Sequence, residues 1–303
     1  MSTVPYPYLL FAIVYSLFAI LLGAPVWYGN RPFDKAIEEV YKLELDFVEF
    51  SLDYPLPESM DDPEREWLKR VLDEHDLKIG FHSPLDTAVA HPRDEIADAS
   101  KQILRRCIAF SAEFLPRSLY YNFHLHPGVP TYKLEDVRNQ INIKSLKRCE
   151  EMTRMAAESG ITACVENDLV PFEWSDLIPE ALSLLSPRLY FTFDVGHAIM
   201  AEVPRGGEKK KEGFYREYLE QWIEKCGDKI LVVHLHDCSF TENVKQDHLA
   251  IGEGELDFNY VFDLLRSTSC KYLLIETFWK NTEKKKVDYE ELKRSVELCR
   301  SYL

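Results

Sequence analysis

The sequence lacks the short glycine-rich motifs that hold nucleotides and phosphates. No Gly-x-Gly-x-x-Gly follows the first predicted strand, and Gly-x-x-x-x-Gly-Lys-Ser/Thr occurs nowhere in the 303 residues. Both motifs bind phosphate through backbone N–H groups at a helix N-terminus, so their absence argues against a dinucleotide-binding sheet or a P-loop. There is also no Cys-x-x-Cys pair. The seven cysteines are scattered, as expected for reduced, mostly buried thiols of an intracellular protein.

Basic side chains are fewer than acidic ones. The chain has 36 Lys and Arg against 51 Asp and Glu, which gives a net charge of −15. This balance favours solubility and argues against broad nucleic-acid binding, which needs a basic surface, but it allows a local basic groove. A Gly-Gly-Glu-Lys-Lys-Lys patch at residues 206–211 is the one low-complexity segment. We expect a solvated loop there, with a substrate lid or anion clamp as the alternative.

No charged side chain precedes Arg31, and Tyr8 to Val26 is nearly all apolar. A secretory signal needs a basic start, which is missing, and the run is marginal for a membrane span. We therefore expect residues 1–19 to be a hydrophobic extension and the globular domain to fill residues 20–303. The expected location is the cytoplasm, with anchoring to a membrane through residues 1–19 as the alternative.

Beyond residue 19, strand-like and helix-like segments alternate eight times without a linker that would split the domain. The predicted strands are Ile20–Trp27, Phe47–Phe50, Lys78–His82, Ser118–His126, Ile161–Glu166, Leu189–Asp194, Ile230–His236 and Tyr272–Glu276. Such alternation predicts an α/β protein with a parallel sheet, and eight units in this length predict a single-domain (β/α)8 TIM barrel. A doubly wound open sheet is the alternative, but the glycine-rich phosphate-binding motif that would support it is missing from this sequence.

Imidazoles and carboxylates follow nearly every predicted strand. Seven of the nine histidines lie at or just after a strand end, namely His82, His124, His126, His197, His234, His236 and His248. The carboxylates at such positions are Glu166, Asp194 and Glu276. In a barrel these groups meet at one mouth. Burying them together would be costly, because they would repel and desolvate one another unless a cation compensated them. The sequence therefore predicts a divalent-metal site.

Each of these residues also has a structural alternative when it is taken alone. Asp194 can cap the following helix, and Glu276 can pair with a cation. Strand periodicity directs both His124 and His126 inward, so one of them is expected to be structural and one layer deeper.

Together the segments resemble the xylose isomerase-like TIM barrels, which include sugar isomerases and epimerases as well as endonuclease IV. The resemblance covers about Ile20 to Leu303. Its most specific parts are His126-Pro127-Gly128, Phe193-Asp194-Val195-Gly196-His197, His234-Leu235-His236-Asp237 and His248-Leu249-Ala250-Ile251-Gly252-Glu253-Gly254.

The resemblance implies a set of metal ligands. Glu166, Asp194, His234 and Glu276 match the four ligands of the single metal in the sugar isomerases and epimerases. His82 and His126 match the pair that, with the shared Glu, holds an extra zinc in endonuclease IV. His197 and His248 match two of three ligands of a further zinc. The third ligand there is an Asp two residues before the matched His, but Gln246 stands at that place and Asp247 is out of register.

Other departures separate the chain from the nuclease. Its Asp-Thr-Cys-His is Asp-Val-Gly-His here, its His-x-Asn-Asp is His-Leu-His-Asp, and the Tyr-Leu it uses against DNA is Pro84-Leu85. With the acidic balance, these differences favour an isomerase or epimerase of a sugar or sugar phosphate. An abasic-site DNA phosphodiesterase is the alternative, and a non-catalytic metal-binding barrel is a third hypothesis.

The favoured function assigns a role to each residue. Mn²⁺, Zn²⁺, Co²⁺ or Mg²⁺, with more than one ion per chain allowed, would stabilise an enediolate. Glu166 and Glu276 would flank the substrate carbon as base and acid, and His197 would orient the substrate. Trp27 and Trp279 are candidate walls against which the substrate stacks, with rim packing as the alternative. Nothing in the sequence predicts an oligomeric state.

Overall fold

The computed structural model describes residues 20–125, 127–203, 213–241 and 244–303. The expectations for residues 1–19, for the Gly206–Lys211 patch and for His126 fall outside these ranges. Within the described part of the chain, no helix combines the length and the apolar composition needed to cross a membrane.

Eight parallel strands close into a barrel, in the order β1-β10-β7-β6-β5-β4-β3-β2 around the ring. They are β1 (Leu21–Val26), β2 (Phe47–Ser51), β3 (Lys78–His82), β4 (Ser118–His124), β5 (Ala163–Glu166), β6 (Leu189–Asp194), β7 (Ile230–Leu235) and β10 (Tyr272–Ile275). The predicted (β/α)8 barrel is confirmed, and each observed strand lies inside or within one residue of the predicted one.

Helices follow the barrel strands on the outside. They are α1 (Phe33–Lys42), α2 (Asp62–Glu74), α3 (Asp94–Ala112), α4 (Glu135–Glu158), α5 (Leu177–Leu185), α6 (Val195–Met200), α7 (Tyr215–Cys226), α8 (Phe258–Leu265) and α9 (Tyr289–Tyr302). Several begin at acidic caps: Asp61 and Asp288 each form a capping box with a glutamate three residues on, and Asp257 caps α8. At the end of α4, Gly160 takes φ +74°, the left-handed conformation expected of the glycine that ends this helix.

Two elements were not predicted. The short helix α6 begins directly at the end of β6, and an antiparallel hairpin of β8 (Asp237–Thr241) and β9 (Val244–Leu249) is inserted after β7. Both lie at the carboxyl ends of the strands, so they add side chains to the barrel mouth.

Apolar side chains pack on both sides of the barrel wall. The larger cluster lies between the strands and the helices, and a smaller one fills the lumen. The lumen cluster of buried residues is Phe47, Tyr120, Cys164, Leu231, Val232 and Leu274. Among the residues that the structure describes, this plug fills the barrel below the carboxyl ends of the strands.

Candidate metal centre

A layer of buried polar side chains lies directly above the lumen plug. On five strands the residue two positions after a plug residue is polar, because the period-two strand directs both to the same side of the sheet. These pairs are Phe47 and Glu49, Tyr120 and Asn122, Cys164 and Glu166, Val232 and His234, and Leu274 and Glu276. All five polar members are buried.

Glu166, the last residue of β5, is 1% exposed and lies at the centre of this layer. Its Oε2 accepts a hydrogen bond from Asn122 Nδ2. The same oxygen lies 3.4 Å from His82 Nε2 and 3.5 Å from His234 Nδ1. Its Oε1 lies 3.3 Å from His197 Nδ1. One carboxylate thus contacts side chains from three other strands and from α6.

His234 links Glu166 to Glu276. Its Nδ1 lies 3.1 Å from Glu276 Oε2, and its Nε2 lies 3.2 Å from Glu49 Oε2. Burial alone would lower the pKa of His234, but the charges of Glu276, Glu49 and Glu166 outweigh it and hold that pKa well above its ordinary value. An ionised carboxylate only accepts hydrogen bonds, so the contact with Glu49 keeps a proton on Nε2 and leaves Nδ1 as the nitrogen that a cation could bind once its proton is displaced. That Nδ1 and Glu276 Oε2 are buried, and neither has a hydrogen-bond partner among the described residues.

His82 and His124 form a second group around Glu166. His82 Nδ1 donates to the Ser83 carbonyl at 2.8 Å, and His124 Nδ1 lies 2.9 Å from Asp168 Oδ1. The two Nε2 atoms face each other at 3.2 Å. If both rings carry their proton on Nδ1, two lone pairs oppose each other, so this pair needs a proton or a cation between the rings.

Asp194 ends β6 and has both of the roles that the sequence allowed it. Its Oδ1 caps α6 by accepting the His197 N–H at 2.5 Å. Asn167 holds the backbone of Asp194 through two hydrogen bonds of 2.8 Å. The carboxylate also lies 3.2 Å from His236 Nε2 and 3.7 Å from His197 Nδ1.

His236 supports Asp194 instead of offering it a lone pair. The His248 N–H donates to His236 Nδ1 at 2.8 Å, so the neutral ring carries its proton on Nε2 and donates to Asp194. His248 reaches this place with φ +53°, an uncommon conformation for a residue with a side chain. Its ring stacks between His236 and Phe278, with centroids 4.1 and 4.7 Å away, and its Nε2 lies 3.5 Å from Glu276 Oε2.

The histidines and carboxylates shift one another's pKa values. Burial alone would lower the pKa of His82, but the hydrogen bond and charge of Glu166 outweigh it and raise that pKa to about 9. Burial is likewise outweighed at His248, where Asp247 and Glu276 raise the pKa to about 9. For Glu166, burial favours the neutral acid, but the surrounding imidazoles, His234 foremost, hold its pKa well below the usual range.

Most residues predicted for the site converge in the structure. Glu166, Asp194, His197, His234, His248, Glu276 and His82 all lie in this layer or on its rim. His126 is outside the described residues, and it is His124 that stands beside His82 and Glu166. The side chain of His124 therefore lies within the candidate site.

The hairpin brings Asp247, which the sequence placed out of register, to the candidate site. The Gln246 side-chain amide donates to the Asp247 carbonyl oxygen at 2.8 Å. The Asp247 carboxylate instead reaches His248 Nδ1 at 3.2 Å, and together with His197 it forms a third group of possible ligands. Asp247 was judged out of register because the sequence does not reveal the irregular pairing of β8 and β9 between Asp237 and Ser239.

Aromatic side chains form one wall of the mouth. Trp27 packs on Phe278 with centroids 4.5 Å apart and edge-on to Trp279 at 6.1 Å. Both tryptophans line a cavity of about 180 Å³ that also exposes Glu166 and Glu276. That is about six times the volume one water molecule occupies in the liquid.

Sequence analysis missed Glu49 and Asp168. Asp168 lies in the loop after β5, two residues beyond Glu166. Glu49 lies within β2, where it forms no motif. The available signal was the strand period: Glu49 follows Phe47 by two residues, as Glu166 follows Cys164.

The ligand types, and the spacings of part of the predicted ligand set, fit a divalent cation. Asp194 groups with Glu276 or with Glu166, but in neither group with His234. For tetrahedral Zn²⁺ with ligand bonds of about 2.0–2.1 Å, two ligand atoms lie roughly 3.3 Å apart. The contacts of His234 Nδ1 with Glu276 and Glu166, at 3.1 and 3.5 Å, agree with this separation. The unpartnered Nδ1 and Glu276 Oε2 are the atoms that a cation would satisfy. Imidazole and carboxylate ligands suit Zn²⁺, and carboxylates also suit Mn²⁺ and Mg²⁺.

Comparison with known proteins identifies a family. A family model described as "Xylose isomerase-like TIM barrel" matches residues 37–302. An uncharacterized protein of Methanocaldococcus jannaschii is 24% identical over 206 residues, which is 66% of this chain and 64% of that protein. An inosose dehydratase of Klebsiella pneumoniae is 30% identical over 127 residues, which is 37% of this chain and 39% of the dehydratase.

Solved structures share the fold at low sequence identity. A putative xylose isomerase from Rhodospirillum rubrum superposes with a TM-score of 0.74 at 15% identity, covering 93% of this chain and 99% of that one. A D-tagatose 3-epimerase-like protein gives a TM-score of 0.67 at 19% identity, covering 93% and 97%.

Proposed function

The chain belongs to the xylose isomerase-like TIM barrel family, and we propose that it is a divalent-metal-dependent isomerase or epimerase of a sugar or sugar phosphate. One observation carries the proposal: Glu166 and Glu276, both buried, lie 3.5 and 3.1 Å from His234 Nδ1 beside an aromatic-walled cavity. Two carboxylates at one cation site are suited to removing and returning a proton on a carbon next to a carbonyl.

Each ligand residue has a stated task. Glu166, Asp194, His234 and Glu276 would hold the cation, which when bound would supply Lewis-acid stabilisation of negative charge on the substrate oxygens. His236 keeps the Asp194 carboxylate in place through its Nε2–H. The metal identity is not specified by these ligand types, so Mn²⁺, Zn²⁺, Co²⁺ and Mg²⁺ are all to be tested.

Proton transfer would run between the two carboxylates. One takes the proton from the carbon next to the carbonyl, and the other delivers a proton to the opposite face of that carbon or to its neighbour. His82 Nε2 lies 3.4 Å from Glu166 and His248 Nε2 lies 3.5 Å from Glu276, so each carboxylate has an imidazole beside it that can hold a proton. His197, 15% exposed, faces the cavity and would orient a substrate hydroxyl.

The names of similar proteins agree with this chemistry. One is a 3-epimerase-like protein and one an inosose dehydratase. Both epimerisation beside a carbonyl and dehydration of a hydroxy ketone begin with removal of a proton from the carbon next to the carbonyl. The shared step is what we carry over to this chain, together with a polyhydroxylated carbonyl compound as the substrate class.

Solvent-deuterium exchange tests the proposal. The protein, loaded in turn with each of the four metals, is incubated in D₂O with free ketoses, ketose phosphates and an inosose, and proton NMR follows loss of the C–H signal beside the carbonyl. We expect exchange with at least one substrate. No exchange with any metal and substrate, from protein shown to hold the metal, would contradict it.

A second function is favoured by one specific observation. The groups His82–His124–Glu166 and His197–Asp247–His248 offer ligands for further cations beside the first. Clustered zinc ions promote phosphodiester hydrolysis, as in the DNA-cleaving alternative. Metal content separates the two: an isomerase keeps its metal in His82→Ala and His248→Ala, whereas a cluster enzyme loses about one ion per chain in each. Efficient cleavage of an abasic-site duplex by the parent would decide for the hydrolase.

A further inference from the structure

Glu49 contacts the Nε2 side of His234, opposite the Nδ1 that faces Glu166 and Glu276, and it forms a further group of possible ligands with His234 and Glu276. It is 3% exposed, in the middle of β2, and its Oε2 lies 3.2 Å from His234 Nε2. A buried carboxylate is costly unless hydrogen bonds or charges compensate it, so it is expected to serve a purpose. It also lines the cavity at the mouth, but its Oε2 is held by His234, and Phe47 of the plug is only two residues earlier on the same strand.

A tyrosine fixes the position of this carboxylate. Tyr120, fully buried in β4, donates its hydroxyl to Glu49 Oε2 at 2.8 Å. Burial, and after it the charge of Glu49, raises the pKa of Tyr120 well above its ordinary value, so the phenol stays protonated and donates.

Glycine at position 80 makes room for the tyrosine. A Cβ at Gly80 would lie 2.5 Å from Tyr120 Cζ and 2.8 Å from its hydroxyl oxygen, closer than atoms can approach without a shift. A larger residue at this position of β3 would therefore clash with the ring that supports Glu49. Three strands combine to hold one carboxylate oxygen against one imidazole nitrogen.

We propose that Glu49, held by Tyr120, is a positioning residue that fixes the proton of His234 on Nε2 and so presents the Nδ1 lone pair to the cation site. The inference rests on the metal centre of the proposed function and makes no use of the substrate. Without an acceptor at Nε2, the neutral ring is free to protonate Nδ1, where Glu166 and Glu276 attract the proton, and the lone pair is lost to the metal. Outer partners of metal-binding histidines typically contribute 10- to 100-fold to metal affinity.

Metal titration with Co²⁺ and Zn²⁺ tests the role without any activity assay. Glu49→Gln is isosteric and keeps an acceptor, but it removes the charge, so we expect affinity to fall about 10-fold. Glu49→Leu removes the acceptor and should lower affinity about 100-fold. Tyr120→Phe removes one donor and should lower affinity by about 3- to 10-fold. The matched control is Tyr121→Phe, because Tyr121 is the next residue of β4, equally buried, and packed in the outer core away from the site.

Nitrogen-15 NMR of the histidine rings gives a readout that does not need metal. In the metal-free parent the carboxylates around His234 hold its pKa well above the ordinary value, so a titration toward high pH should remove the Nδ1 proton first and leave the spectrum of the Nε2–H form. Glu49→Leu should shift it toward the Nδ1–H form, and Tyr121→Phe should leave it unchanged.

The outcomes separate the inference from the proposed function. If the parent binds Co²⁺, and the folded Glu49→Gln and Glu49→Leu variants keep its affinity and its ring spectrum, the positioning role is overturned and the metal centre stands. A parent that binds no metal but shows the Glu49-dependent ring form would overturn the metal centre alone. If neither Glu49 variant folds, parental Co²⁺ affinity in Tyr120→Phe would overturn the inference, and a loss confined to Tyr120→Phe would support it.

Discussion

The metal-free protein is expected to lose stability as the pH rises from about 6.5 to 9. His82 and His248 have folded-state pKa values of about 9, against an ordinary value of 6.5. The folded state therefore binds more protons than the unfolded state in this interval. By linkage, the resulting stabilisation is fully present below pH 6.5 and is lost as the pH passes through 9.

The size of the effect follows from the shift. A rise of about 2.5 pKa units corresponds to roughly 3.4 kcal/mol for one histidine at 1.36 kcal/mol per unit. The two histidines share carboxylate partners with other imidazoles, so their contributions do not add in full. We take about 3 kcal/mol for the pair, which corresponds to a fall in Tm of roughly 5 °C in a chain of this size.

The predicted fall in Tm is measured by thermal unfolding in the presence of EDTA, followed by circular dichroism at pH 6.5, 7.5 and 9. His82→Gln should flatten the pH dependence in part, whereas His91→Gln, outside the mouth, should leave it as in the parent. Bound Zn²⁺ should reduce the slope, because the cation would compensate the charges of Glu166 and Glu276 that help to raise both pKa values. A Tm that is constant or rises from pH 6.5 to 9 in the metal-free parent would refute the assignment of these protons.

Three further predictions concern the mouth and the N-terminus. Glu166→Gln and Glu276→Gln should each lower kcat at least 100-fold in a folded barrel, and solvent-deuterium exchange should fall with it; activity retained by either variant removes that carboxylate from the mechanism. Gly196→Ala should lower Tm or metal affinity, because its Cβ would lie 1.8 Å from Cε1 of His236; parental values for both would show that the ring can move aside. Deletion of residues 1–19 should leave a soluble protein that binds Co²⁺ as the full chain does, and failure to fold would place the segment in the core.

The barrel and its strand ends were accessible from the sequence because local periodicity encodes them. Leu189–Asp194 and Lys78–His82 were predicted with their observed bounds. Once a (β/α)8 barrel is inferred, the carboxyl ends of all strands must meet at one mouth, so Glu166, Asp194 and Glu276 were expected to converge before any coordinates existed. That expectation needs only the side-chain period of two and the direction of the strands.

The hairpin after β7 was beyond sequence reasoning. Whether Gln246 or Asp247 faces the site depends on an irregular strand pairing that shifts the register by one residue, and such a shift exchanges the two faces of a strand. The same geometry sets the positive φ of His248, on which the hydrogen bond to His236 depends.

The tertiary structure alone also decided what each imidazole offers. The strand period directs His234 and His236 to the same side, two residues apart, and only the resemblance to the family distinguished His234 as a ligand. Glu49 lies 185 residues from His234 and contacts its Nε2, whereas the His248 backbone donates to Nδ1 of His236 and so directs the Nε2–H of that ring toward Asp194. In each ring, the partner of one nitrogen decides whether the other nitrogen carries the proton. Closure of the barrel brings these partners together from distant parts of the chain, so a local sequence pattern cannot predict them.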